Sequence, residues 1–147
     1  MRGFRAVTGV FEQIDSPALR GLVVFLPMVG GDDEAAARTR TSEIRDSRIA
    51  TIWDPGLGVG RAFRRPLGLR ATAWDVYLVY PPGVVWEGDA PPPPPTEWMH
   101  QLWELWNAHP DRALDPDGLR EMVQRALPTV SRDSTAQQEA PSAHAVW

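Results

Sequence analysis

The chain has no cysteine and no lysine. Without cysteine it can form no disulfide, no thiolate nucleophile and no sulfur-ligated metal site of its own. Without lysine, all 15 basic residues are arginine, and with 15 prolines and 12 glycines this reads as GC-rich coding bias. On composition alone the arginines carry no collective role. Excess positive charge is also missing: the formal net charge is −4, which gives no basic footprint for nucleic acid. No apolar run approaches the roughly 18–20 residues that span a bilayer. Residues 1–14 contain Arg2, Arg5 and Glu12 and lack the continuous apolar stretch of a signal peptide. With Met1 as the true start, the expected location is the cytoplasm.

What is present suits one domain. A chain of 147 residues with 43% hydrophobic content can build a core, and a domain of about this size buries roughly 70% of its unfolded surface. Residues 1–14 place Phe4, Val7, Val10, Phe11 and Ile14 on one helical face. Asp15, Ser16 and Pro17 stop that helix. Residues 22–28, LVVFLPM, are apolar without alternation, which predicts a strand covered on both faces. Gly30 and Gly31 turn the chain, and Asp32 is placed to cap a helix running to about Ile44.

Residues 48–53, RIATIW, predict a second strand, broken by Asp54, Pro55 and Gly56. A short helix is expected over 59–67 and a strand over 74–80, WDVYLVY. Pro81, Pro82 and Gly83 predict a turn, with 84–87 returning as an antiparallel partner. Five prolines at 91–95 form a stiff connector. Beyond it, Trp98, Leu102, Leu105 and Trp106 recur at helical spacing, with Thr96 as the cap. A last helix is predicted from Asp115, with Pro116 in its first position and Leu119, Met122, Val123, Ala126 and Leu127 on one face. Residues 131–147 are polar and aperiodic and are expected to be a disordered tail. Strands alternating with helices imply an α/β fold with a mostly parallel sheet.

Three segments carry a resemblance: LVVFLPMVGGDDEAAA, IATIWDPGLGVGRAFRRPLGL and TAWDVYLVYPPGVVWEGD. In that order and spacing they resemble the thioredoxin superfamily, in the branch of peroxiredoxins and membrane-linked thiol–disulfide oxidoreductases. They cover about half the chain. The resemblance implies a mixed sheet with parallel strands and a closing antiparallel hairpin. It also makes the helix at 1–14 similar to the one that follows the family's Cys-x-x-Cys motif. The motif and the first central strand would then lie upstream of Met1, and residues 1–130 would form an N-terminally incomplete domain. Some bacterial relatives of this kind carry selenocysteine in that motif. A selenocysteine codon read as a stop would set the start too late. The other reading is a short protein that has lost the motif. The family's cis-proline should fall near Ala73 or Trp74, and neither is proline.

The resemblance makes Arg70, Ala73, Trp74 and Asp75 the candidate substrate or partner loop. Trp53 and Asp54 form a second candidate, because ligands of open α/β sheets bind beyond the carboxyl ends of parallel strands. Core packing and turn capping explain Trp53 and Asp54 better. Trp98 and Trp106 suit a core face better than a stacking platform, and Trp103 lies off that face. His100, His109, Asp32 and Asp33 lack any standard ligand spacing, so no metal site is assigned. No cofactor is expected. Gly56, Gly58 and Gly60 lack the dinucleotide fingerprint's third glycine.

Two functions follow as expectations. In the first, the chain is the redox-inactive scaffold of a thiol or selenol oxidoreductase acting on a protein or peptide disulfide or on a peroxide. In the second, it is a cysteine-free binding module of the same fold. Neither calls for a nucleic-acid partner or a membrane segment.

Overall fold

The computed structural model describes residues 2–87 and 90–128. The expected tail at 131–147 lies outside the described residues. The architecture is mixed α/β. Helix α1 spans Arg2–Gln13, strand β1 Gly21–Phe25, helix α2 Glu34–Glu43 and strand β2 Ile49–Trp53. Helix α3 spans Gly58–Arg64, strand β3 Val76–Val79, strand β4 Glu97–His100 and helix α4 Pro116–Ala126. Two 3-10 turns, Glu104–Trp106 and Pro110–Arg112, lie between β4 and α4.

The spacing read in α1 sets its packing. Ala6, Val10, Phe11 and the following Ile14 are buried. Gly21 at the start of β1 lets α1 approach, because a Cβ there would lie 2.7 Å from the Phe11 ring. The end of α1 is held from a distance. The Arg48 guanidinium donates to the carbonyls of Phe11 (2.6 Å), Ile14 (2.7 Å) and Ser16 (3.2 Å), and pairs with Asp46 at 2.6 Å. Last-turn carbonyls have no partner inside a helix, so one arginine satisfies groups that would otherwise need water.

Strands β1 and β2 pair in parallel, with Gly21 opposite Ile49 and Phe25 opposite Trp53. The strand covered on both faces is not what forms. Leu22 is 38% exposed and no residue of β1 is fully buried. The physical reason is the thinness of this layer. Only Ala37 of α2 is buried, and Ile52 of β2 is itself 42% exposed. The cap of α2 is Asp33, whose carboxylate accepts from Ala36 N–H at 2.8 Å. Asp32 instead closes the preceding turn by accepting from Val29 N–H.

The hairpin differs more. Residues 84–87 form no strand. Gly83, at φ +85°, turns the chain away, and Trp86 packs edge-on against Phe63 of α3 at 5.7 Å. The antiparallel partner of β3 is β4, with Val76 opposite His100 and Val79 opposite Glu97. The helix expected after the prolines is therefore replaced by a strand and a 3-10 turn. Trp98, His100 and Leu102 are all buried, which is the alternation of a strand. The His100 ring fixes the turn that follows: Nδ1 accepts from Leu102 N–H, and Nε2 lies 2.9 Å from the His109 carbonyl. That pattern assigns the ring proton to Nε2.

The prolines arch back over α3. Pro92 is buried and the Tyr80 hydroxyl donates to the Pro93 carbonyl at 2.8 Å. Helix α4 begins as expected, with the Asp115 carboxylate accepting from Gly118 N–H and Pro116 in the first turn.

The single mixed sheet is not formed among the described residues. β1–β2 and β3–β4 are two separate two-stranded sheets. Both contribute to one core under α1, where Val23 and Ile49 from one sheet join Tyr77 and Val79 from the other, closed by Leu119 and Met122 of α4. A second core holds Leu67, Leu69, Ala73, Trp98, Leu102 and Ala108.

Candidate functional site

The segment at 70–75 is built by its neighbours on both sides. Gly60 of α3 accepts from Ala73 N–H at 2.9 Å, and only a glycine allows that approach. A Cβ at Gly60 would stand 2.6 Å from the Ala73 carbonyl oxygen. From the other side, Arg70 N–H donates to the Trp106 carbonyl at 3.1 Å, and Trp106 Nε1 donates to the Thr72 carbonyl at 3.2 Å. The Asn107 amide donates to the Gly68 carbonyl.

Trp74 then meets two indoles edge-on, Trp103 at 6.4 Å and Trp106 at 6.2 Å, and these two lie 5.8 Å apart. Edge-to-face contact is a favoured aromatic geometry. The cluster is asymmetric. Trp103 is 65% exposed and neighbouring Leu105 75% exposed, whereas the buried Trp74 Nε1 has no acceptor among the described residues.

The expected loop residues thus fall into different settings. Ala73 is buried in the second core, out of reach of a ligand. Trp74 is half-buried, in edge contact with the exposed Trp103. Arg70 is exposed, and its side chain makes no ion pair or hydrogen bond among the described residues. Asp75 is exposed and left-handed, at φ +50°. Its carboxylate accepts from the Tyr77 hydroxyl at 3.0 Å, and its carbonyl accepts from Gln101 N–H at 2.9 Å. Burial pushes the Tyr77 phenol well above its ordinary value, and the Asp75 carboxylate adds to the shift. Tyr77 therefore stays a neutral donor.

Trp53 and Asp54 are employed in the scaffold. Trp53 is half-buried at the end of β2. The Asp54 carboxylate accepts from Val59 N–H at 2.8 Å, its amide donates to Phe25, and its carbonyl accepts from Leu57. Those bonds close the turn and cap α3.

Sequence reasoning missed a basic surface at the end of α3. A shallow depression of about 510 Å³ is lined by Arg61, Arg64, Arg65, Gly68 and Leu69. A signal was available: from Pro55 to Trp74 there are four arginines and no carboxylate. No group of three or more potential metal ligands converges among the described residues. None of their helices is long and apolar enough to cross a membrane. No known protein family, no curated protein and no solved structure matches the chain.

Proposed function

We propose that the chain is the scaffold portion of a thioredoxin-like thiol or selenol oxidoreductase whose redox motif lies upstream of Met1. Alone it has no thiol–disulfide activity, since it has no cysteine. The observation that carries the reading is the division of the strands. A parallel pair and an antiparallel pair share the core under α1 but do not pair with each other, so among the described residues each keeps an open edge. Open strand edges offer unpaired N–H and C=O groups to another strand. One further strand, leading into α1, would join the two sheets and bring its nucleophile to the positive end of that helix. An upstream thiolate or selenolate would attack one sulfur of a disulfide, forming a mixed disulfide or a selenenyl sulfide and releasing the other sulfur as thiolate. A peroxide is the alternative substrate. The segment around Trp74 would hold the substrate.

The test is the intact mass of the protein purified from its native cells. A mass well above 16.3 kDa, with upstream peptides containing cysteine or selenocysteine, is the expected result. A mass matching residues 1–147 overturns it.

A second reading is a cysteine-free binding module. It is favoured by the exposed Trp103 on the Trp74–Trp106 cluster. It requires that the chain alone unfold in one cooperative transition with coincident fluorescence and circular-dichroism changes.

A further inference from the structure

Most arginines of this chain are occupied. Arg2, Arg20 and Arg48 donate to backbone carbonyls, Arg38, Arg40, Arg120 and Arg125 pair with carboxylates, and Arg112 lies over the Trp98 ring. Arg5 and Arg45 are likewise exposed with no side-chain partner among the described residues. Arg61, Arg64, Arg65 and Arg70 differ in falling within one ten-residue stretch that holds no carboxylate. All four are exposed, and none makes an ion pair or a side-chain hydrogen bond among the described residues. The first three line one depression. Basic residues in the last turn complement the dipole of α3, which explains Arg61 and Arg64 in part. It does not explain Arg65 and Arg70, which lie beyond the helix.

The turn that carries the exposed tryptophan is hydrogen-bonded to the segment that holds Gly68 and Arg70. Gly68 and Leu69, which line the depression, adjoin the 103–107 turn through the Arg70 to Trp106 and Asn107 to Gly68 hydrogen bonds. The four arginines, exposed and without side-chain partners among the described residues, thus lie on a segment joined to the turn that presents Trp103 and Leu105, 65% and 75% exposed. Arginine and tryptophan are the residue types that most often dominate binding energy at protein interfaces. A guanidinium fork matches a carboxylate in two parallel hydrogen bonds.

We propose that this surface docks an acidic peptide segment of a partner protein, with carboxylates over Arg61, Arg64, Arg65 and Arg70 and an apolar side chain against Trp103 and Leu105. Charge complementarity favours a short acidic segment over a nucleic acid. The patch is local in a chain of net charge −4, which repels a long polyanion beyond the patch. The surface uses no redox group, so the intact-mass result bears on the proposed oxidoreductase and leaves this inference untouched.

The test uses the full chain and a fluorescein-labelled glutamate-rich peptide carrying two leucines and a phenylalanine, read by anisotropy. Saturable binding that weakens with added salt is expected. Arg64→Glu and Arg65→Glu should each weaken it by about tenfold or more. Trp103→Ala should weaken it by about tenfold, as loss of an aromatic anchor does at an interface. Unchanged circular dichroism excludes misfolding of these surface variants. The proposal is overturned by any of four results: no binding, equal binding of the same peptide with glutamine for glutamate, tighter binding of an oligothymidylate, or insensitivity to both charge reversals.

Discussion

Gly3 of α1 lies directly against Tyr77 of β3, and a methyl group at Gly3 would overlap the Tyr77 hydroxyl. Alanine is ordinarily better than glycine in a helix by about 1 kcal/mol. Here that gain is opposed by overpacking, which costs about 1–3 kcal/mol. Gly3→Ala should therefore fail to stabilise and lower stability by up to about 2 kcal/mol, measured as a lower urea midpoint with the slope unchanged. Combined with Tyr77→Ala, its cost should be smaller than the sum of the two single changes.

Gly60 poses the same question where nothing flexible can yield. Its Cβ would meet the Ala73 carbonyl at 2.6 Å and Thr72 Cγ2 at 2.7 Å. The obstructing atom is backbone, so Gly60→Ala must displace the segment leading to Trp74. A loss of about 2–3 kcal/mol is expected. Tryptophan emission should change with it, because the Trp74 surroundings move. Unaltered emission would show that the strain is absorbed within α3.

The tryptophan cluster offers a comparison of two like substitutions. Trp106 Nε1 donates to the Thr72 carbonyl, while the buried Trp74 Nε1 has no acceptor among the described residues. Trp106→Phe breaks a bond and leaves a carbonyl unpaired. Trp74→Phe removes a donor that was already costing free energy. The first should destabilise by about 1–2 kcal/mol more than the second, in paired thermal or urea melts.

How much of this was legible depended on whether the information was local. The buried face of α1 and the cap and proline that open α4 are set by residues a few positions apart, and the sequence predicts both. Strand β4 was not legible in this way. Trp98, Leu102 and Trp106 fit a helix, while Trp98, His100 and Leu102 fit a strand equally well. Pairing with β3 decides between them, and that pairing is not a local property. The grip of Arg48 on α1 and the meeting of Trp74 with Trp103 join residues about thirty positions apart, beyond any periodicity. The four arginines of 61–70 were visible as a stretch without carboxylates. That their side chains take no partner among the described residues, and that the 103–107 turn is bonded to this segment, only the folded chain supplies.

Arg48 and Asp46 give the fold an acid-sensitive joint. Hydrogen bonds from the Arg48 side chain and backbone hold the Asp46 carboxyl at about 2, below its ordinary 3.8. A depressed carboxylate stabilises the fold above its unfolded value, and that contribution is lost as pH falls through the folded value. The window is therefore 3.8 down to about 2. Asp46→Asn should lower the neutral-pH Tm and flatten its fall across that window. Arg48→Met should lower Tm further, because the Phe11, Ile14 and Ser16 carbonyls lose their donor as well.

The proline run between β3 and β4 bears on how the two strands find each other. A long flexible connection makes the pairing of its two ends entropically costly. Here five consecutive prolines already stiffen the unfolded chain, so less freedom remains to be lost on closure. The Tyr80 hydroxyl on the Pro93 carbonyl and the Trp86 indole on the Ala90 carbonyl then pin the arch from within. A glycine-serine arch of equal length would have to be restrained from a far larger set of conformations. The prolines act before folding, by narrowing the search that ends in a paired strand.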